Sequence, residues 1–504
     1  MTAPVQEEAV SNAASVVSLF NKLVYPVALL AVLSIWLLAL RAPLWLDETL
    51  AYWQVSGGFA KVWSRSALMP SSIGYLYTLW AAKSILGRSE IALRIPSLFA
   101  LLAAVYFLFR SAREFFGQET GFLAAIFFAI QYNVVFAATD ARPYACALLA
   151  TNLSIFAFVR WITQHQMRQA VLFGAAAAGI VYFHYLFAAI LPAFAIYYVA
   201  VRYRSFKKDL GQLAAALGTF GVLIIPIVVR VLSLYHTRET HIVQPLHHPI
   251  LLSLNTLAPL QLLIGFIAAA ALAAALRKIR IPGAGNWPTI LLVGLLGLVP
   301  AAVLCGIEAA TPIHFIQQRY FLIVAPGSAL IWAWLTSCMD SRWLRQIFCV
   351  GLVATTMFEA YLSPDSRRHN INFKDAHAFV NANVAPGDAP VLVFSAFIES
   401  DYEPLPTVPN TENALLSQID YYPLNPPWIF LPIDLNERAK QISSEAVFAA
   451  AQRHQRFVAI VPPISYASLD WLVNYCQGAF AVRTLEVFDK KILVVEFRPL
   501  AAPE

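Results

Sequence analysis

Long apolar runs recur along this chain, and they constrain its fold more than any motif does. Read at about 20 residues, the length that crosses a hydrocarbon core, they fall near 24–40, 94–110, 119–138, 143–161, 170–184, 185–202, 210–232, 254–276, 287–307, 319–338 and 344–362. Soluble cores cannot absorb so much apolar surface, since 59% of the 504 residues are hydrophobic and only 13% are charged. The chain is therefore expected to be a mainly α, polytopic membrane protein with about eleven transmembrane helices. Its first run passes from Tyr25 to Leu40 into Arg41-Ala-Pro-Leu-Trp45 without a small-x-small cleavage site, and is kept as a span.

Basic residues give the orientation. Arg110 and Arg113, Arg160 and Arg168, Arg202 to Lys208, Arg277 to Arg280, and Arg342 with Arg345 occupy alternate loops. A cytoplasmic N-terminus places all of them in the cytoplasm. They also supply much of the net +6 charge, which removes the ground for a nucleic-acid partner. The stretch 71–86 is apolar enough to be a further span, but counting it would turn every later basic loop outward. It is expected instead to lie in the membrane interface, within one external loop, 42–93, that carries two amphipathic helices near 47–62 and 71–86. Cys146, Cys305, Cys338 and Cys349 fall in apolar segments and only Cys476 in a polar one, so no disulfide framework is implied.

Near Ser363 the composition changes. Residues 1–362 read as the transmembrane part and 363–504 as an extracytoplasmic α/β domain. Strands are predicted at Pro390–Phe394, Trp428–Leu431, Phe457–Val461 and Ile492–Phe497, with helices starting near Asn372 and spanning about 434–453 and 465–477. This part has no glycine-rich phosphate loop and no metal-ligand spacing, and it reads as a lid or docking module.

Two adjacent carboxylates, Asp47 and Glu48, follow the first span directly, where charge is costly unless it has a task. The topology gathers further polar residues at the same external depth: Arg94, Asp140, Arg142, Tyr144, His184, Tyr185, Glu308, His314, Arg319 and Tyr320. Singly, each has an ordinary explanation, because arginines snorkel, tyrosines populate aromatic belts and a histidine can satisfy a carbonyl. Together they describe a site. His236, His241, His247 and His248 gather with Glu239 before the eighth span, but their spacing matches no compact ligand pattern. A solvated loop is the default there; no metal or other cofactor is firmly implied, with a divalent ion the lesser alternative.

The ordered set Trp45-Leu-Asp-Glu48, Pro70 to Trp80, Gly87-Arg-Ser-Glu-Ile-Ala-Leu-Arg94-Ile-Pro96, Ala141-Arg-Pro-Tyr144, His184-Tyr185 and Arg319-Tyr320 through Pro326 resembles that of GT-C glycosyltransferases. It is most similar to bacterial relatives of the protein O-mannosyltransferases and of the lipid A aminoarabinose transferase. The resemblance spans roughly the first 330 residues. It implies a GT-C fold in a bacterial inner membrane, a polyprenyl-phosphate sugar as donor, and the Asp at position 47 as the base. Two departures stand out. Met69-Pro-Ser-Ser-Ile-Gly74 replaces a His-Pro-Pro-Leu-Tyr-Tyr element, and Asp140 stands where Glu is frequent.

Transfer from a lipid phosphate to a hydroxyl needs a base for the acceptor proton and cations for the departing phosphate. Asp47 is the expected base, with Glu48 orienting its surroundings and Asp140 the next carboxylate. Arg94, Arg142 and Arg319 are the expected phosphate partners, because a guanidinium holds phosphate oxygens in a fork. Tyr144, His184, Tyr185 and Tyr320 are expected to contact substrate. One base with direct displacement implies inversion. The acceptor is a lipid, polysaccharide or protein hydroxyl. The competing readings are a secondary transporter, which would carry ionisable groups mid-span and show related halves, and a noncatalytic subunit of a glycan export complex.

Overall fold

A computed structural model describes residues 22–68, 72–236, 248–279, 287–310, 316–362, 372–397, 400, 414–489 and 491–500. Helix α1 (Lys22–Ile35) leads into the large loop, which holds α2 (Leu46–Ser56), α3 (Phe59–Leu68) and α4 (Ile73–Leu86). A helical bundle follows: α5 (Glu90–Phe116), α6 (Gln118–Ala129), α7 (Tyr132–Ala138), α8 (Tyr144–Gln164), α9 (Met167–Phe183), α10 (Leu191–Arg202), α11 (Phe206–His236), α12 (Pro249–Leu257), α13 (Leu260–Ala275), α14 (Trp287–Ala310), α15 (Ala325–Ser337) and α16 (Arg342–Leu362). Each apolar run of the sequence thus falls largely on helix. Among the described residues 6 helices are long and apolar enough to cross a membrane, or up to 8 if the bent pairs α6–α7 and α12–α13 each count once. Helices α1 and α9 are apolar but shorter.

The basic loops meet at one end of the bundle. Arg160 pairs with Glu114 at 3.0 Å, Arg202 with Asp209 at 2.9 Å beside His165, and Arg345 with Glu119 at 2.9 Å, where Tyr25 also donates. A backbone bridge joins Ile279 to Met339. Those contacts link one alternate loop to the next, as the charge series requires.

Two expected elements come out differently. The first span was expected to reach position 40, but α1 stops at Ile35 and the chain goes on in tighter i to i+3 turns, with the carbonyls of Ala39, Leu40, Ala42 and Pro43 accepting from Arg94. The expected helix 47–62 divides into α2 and α3 at Gly57-Gly58, where Gly58 takes a φ of +92° that a side chain would strain.

Beyond the bundle lie α17 (Phe373–Asn383), β1 (Val391–Phe394), α18 (Ser417–Tyr421), β2 (Trp428–Leu431), α19 (Glu437–Gln452), β3 (Phe457–Val461), α20 (Tyr466–Tyr475), β4 (Phe480–Phe488) and β5 (Ile492–Pro499). The strands form one sheet in the order β2-β1-β3-β5-β4, with β1 parallel to both β2 and β3, and β5 antiparallel to β3 and β4. Strand β4 escaped the sequence reading because this edge strand buries little beyond Phe480 and so lacks a continuous apolar run. Side chains of β1 and β3 alternate between two cores. Leu392, Phe394 and Ala459 pack with α19 and α20, while Val391, Val393, Val458 and Ile460 pack with α17, α18 and, from the first loop, Leu46, Leu50 and Trp53 of α2. The sequence boundary at 362/363 therefore divides the chain without dividing this core.

Candidate active site

Helix α2 has three faces with three tasks. Leu46, Leu50 and Trp53, at positions i, i+4 and i+7, enter the C-terminal core; Ala51, Tyr52 and Val55 enter the bundle core. Its first turn carries Asp47 and Glu48, with side chains diverging as neighbouring helical residues must.

Glu48 points inward and is completely buried. Arg94 meets it in a fork, Nε donating to Oε1 at 2.8 Å and Nη2 to Oε2 at 2.6 Å. The backbone N–H of Ala141 donates to Oε1 at 2.7 Å and that of Trp45 to Oε2 at 3.2 Å. Arg94 uses its other N–H groups on the carbonyls of residues 39, 40, 42 and 43. Every donor of this fully buried guanidinium is therefore spent. An anion arriving at Arg94, one of the expected phosphate partners, would have to break a buried ion pair and release a loop. Glu48 likewise belongs to a knot that joins the first loop, α5 and the 139–142 turn.

Asp140 sits in that turn, also completely buried. The Trp45 indole donates to its Oδ1 at 3.1 Å, and Ser97 donates to its backbone carbonyl at 2.6 Å. Burial first, and then the Glu48 charge, push its carboxyl well above the ordinary range, while Arg142, the indole hydrogen bond and Arg319 oppose them. Asp140, the next expected carboxylate, thus has no exposed surface in this structure.

Asp47 faces the other way. Its Oδ2 lies 2.8 Å from Nη1 of Arg319 and 3.6 Å from Nη2 of Arg142, while Nη1 of Arg142 donates to the Asp47 carbonyl at 3.3 Å. These side chains keep 19% (Asp47), 26% (Arg319) and 14% (Arg142) of their exposure, against 0% for both Glu48 and Arg94. Accessibility thus separates the pair a solute can meet from the pair it cannot.

The aromatic wall has a local cause. His184 and Tyr185 precede the 3-10 turn Tyr185–Ile190 or open it, and Arg319 and Tyr320 lie in the 3-10 turn Gln318–Val324; each turn runs into an α-helix whose first residues include a proline, Pro192 or Pro326. A proline there cannot donate to the preceding turn and fixes the entry angle. Besides its ion pair with Asp47, the Arg319 guanidinium lies 5.5 Å from the Trp45 ring centroid, 5.9 Å from Tyr144 and 6.0 Å from Tyr320, contacts that favour its charged form. The His184 ring packs 5.4 Å from Tyr144 and 5.0 Å from Tyr320. Its Nδ1 is buried and makes no hydrogen bond among the described residues.

A small cavity of about 50 Å³ opens here, lined by Tyr75, Arg142, Tyr144, His184, Tyr185 and Tyr320 among others. Seven of the expected residues are thus drawn to one place: Asp47, Arg142, Tyr144, His184, Tyr185, Arg319 and Tyr320. Glu308 is buried near the end of α14, and His314 lies outside the described residues, as do Glu239, His241 and His247. Trp45 and Tyr75 were not singled out by the sequence reading. Trp45 could have been, because a tryptophan beside an acidic pair at a membrane surface has an N–H that needs an acceptor.

Residues 70–230 match the family described as dolichyl-phosphate-mannose-protein mannosyltransferase. No curated protein matches the sequence. Among solved structures, ArnT from Cupriavidus metallidurans bound to undecaprenyl phosphate is 10% identical with a TM-score of 0.50, over 96% of this chain and 99% of that one. The Archaeoglobus fulgidus oligosaccharyltransferase in its apo form is 12% identical with a TM-score of 0.46, over 96% and 74%. The resemblance to GT-C glycosyltransferases drawn from the motifs is thus matched by a family segment and by the fold shared with ArnT.

Proposed function

We propose that this protein is a GT-C membrane glycosyltransferase that moves a sugar from a polyprenyl-phosphate donor to a hydroxyl of a lipid, polysaccharide or protein acceptor, with inversion. The observation that carries the reading is the partly exposed Asp47 side chain, whose Oδ2 lies 2.8 Å from the Arg319 guanidinium and 3.6 Å from that of Arg142, with Arg142 also lining the small polar cavity. The ArnT structure of like fold holds undecaprenyl phosphate, and a phosphate monoester is the ligand two such guanidiniums suit. With no donor bound, Asp47 serves as their counter-ion. A donor phosphate takes over that contact, and the released Asp47 carboxylate then accepts the acceptor proton as the new C–O bond forms. The anomeric C–O bond breaks in the same displacement, and its electron pair leaves on the phosphate, neutralised by Arg142 and Arg319.

The chain in this reading crosses the bacterial cytoplasmic membrane eleven times, with the N-terminus inside and residues 42–93 and 363–504 outside, and α4 lying in the interface. The alternate basic loops, which meet at one end of the bundle away from the Asp47 site, support it. Replacing Asp47 by Asn keeps size and most hydrogen bonding but removes the proton acceptor. We expect the variant to insert and fold normally while transfer drops by roughly two to four orders of magnitude. Mass spectrometry of envelope glycolipids and polysaccharide from cells with and without the protein identifies the transferred sugar; the Asn variant is then scored on that product. Near-normal product from the variant would overturn the assignment.

A further inference from the structure

The loop that delivers Asp47 is held from two directions, and only one of them is the buried Glu48–Arg94 knot. The other comes from residues 378 positions away along the chain. The Tyr422 hydroxyl accepts the backbone N–H of Leu44 at 2.8 Å and donates to Oε1 of Glu90 at 3.3 Å, at the start of α5. Lys374 of α17 holds the same Glu90 oxygen at 2.8 Å. Tyr422 is itself fixed, since Nδ1 of His377 donates to its carbonyl at 2.6 Å. One turn along, Thr49 of α2 and Ser417 of α18 share a hydrogen bond of 3.1 Å, both fully buried. The Tyr421 ring meets Tyr52 edge-on at 4.7 Å, and its hydroxyl donates to the carbonyl of Arg88 at 2.6 Å.

We infer that Tyr422 is a positioning residue for the acidic loop: through Leu44 and Glu90 it fixes where α2 begins, and so where Asp47 stands relative to Arg142 and Arg319. The C-terminal sheet is then a brace for the active site. Its core is completed by Leu46, Leu50 and Trp53, and its α18 packs into that same core and holds the adjoining face of the helix through Thr49. Leu44 lies three residues before Asp47, too close for chain flexibility to absorb a displacement. A shift of about 1 Å at a reacting group is enough to cost a large factor in rate.

The inference rests on the proposal that Asp47 is the base, but its first test does not. In the full chain in lipid nanodiscs, Tyr422→Phe removes one hydroxyl and keeps the ring. Hydrogen exchange of peptides covering residues 42–50 is expected to speed up about fivefold, the factor that one ordinary hydrogen bond is worth, with exchange in β1 and β3 unchanged. Binding of undecraprenyl phosphate is expected to stay within about twofold, while transfer to the envelope product falls severalfold, a split that simple loss of folded protein does not produce. Glu90→Gln, which keeps an oxygen for the Tyr422 hydroxyl, is expected to retain protection at 42–50. Ser417→Ala probes the same brace should the Tyr422 variant fold poorly, and is expected to loosen the same peptides. Unchanged exchange at 42–50 in both variants would overturn the inference, as would faster exchange spread across the whole sheet or binding and transfer lost in parallel. If instead Asp47→Asn keeps full transfer while these peptides loosen, the brace stands and the base assignment falls.

Discussion

Glu48→Gln separates a structural acid from a catalytic one more sharply than any other single change. The sequence puts Glu48 beside Asp47 and suggests the milder phenotype for it, whereas the structure reverses the order for stability. In the wild type, one carboxylate satisfies two N–H groups of Arg94 and the backbone N–H groups of Ala141 and Trp45. The amide offers one oxygen and turns an NH2 group toward donors, which leaves a fully buried guanidinium uncompensated. Breaking a buried ion pair from one side costs about 3–5 kcal/mol, and neither side chain is exposed enough for water to screen the loss. We expect the thermal midpoint in detergent to drop by roughly 5 °C or more, against little change for Asp47→Asn. Glu48→Leu combined with Arg94→Met removes both charges, and should recover part of the loss relative to Glu48→Leu alone. Recovery stays incomplete because Arg94 also ties down carbonyls of residues 39 to 43. A Glu48→Gln protein with the wild-type midpoint would refute this account, and so would strict additivity in the double variant.

Arg142→Lys and Arg319→Lys should each weaken undecaprenyl phosphate binding, measured by titration, because a point charge replaces a fork; Arg94→Lys should instead lower stability, and Arg204→Lys should do neither. Similar binding defects at all four positions would dismiss the phosphate assignment. Single cysteines at Ser84 and Arg204, in a background without the native ones, should label from opposite sides of the membrane; labelling from the same side would end the eleven-span topology. Burial lowers the His377 pKa to about 4, so the folded protein keeps this imidazole neutral while the unfolded chain protonates it near 6.5. Its contribution is intact above about pH 6.5 and is lost as pH falls toward 4, by up to about 1.4 kcal/mol per unit. Unfolding curves at pH 7 and 5 should therefore converge in His377→Gln, and an unaltered pH dependence in that variant would contradict the assignment.

Sequence by itself determined the mainly helical, apolar character of the chain and most of the aromatic site wall. Long apolar runs favour helices whose backbone bonds are satisfied internally, and the polar residues at their ends follow from the same pattern, so local composition is enough to group Arg142, Tyr144, His184 and Arg319. It gave Asp47 and Glu48 different expected roles but not their burial, and it could not tell Arg319 from Arg94, because arginines at the ends of apolar runs look alike in one dimension. Only the fold decides which arginine is buried against which carboxylate: Arg94 comes from near the start of α5 and meets carbonyls of a loop about 50 residues earlier, whereas Arg319 enters from a 3-10 turn far along the chain and stays partly open. The same holds for the C-terminal part. Its strands were legible from their apolar runs, yet the core shared with Leu46, Leu50 and Trp53, and the grip of Tyr422 on Leu44, depend on contacts between segments more than 300 residues apart, where hydropathy carries no information about partners.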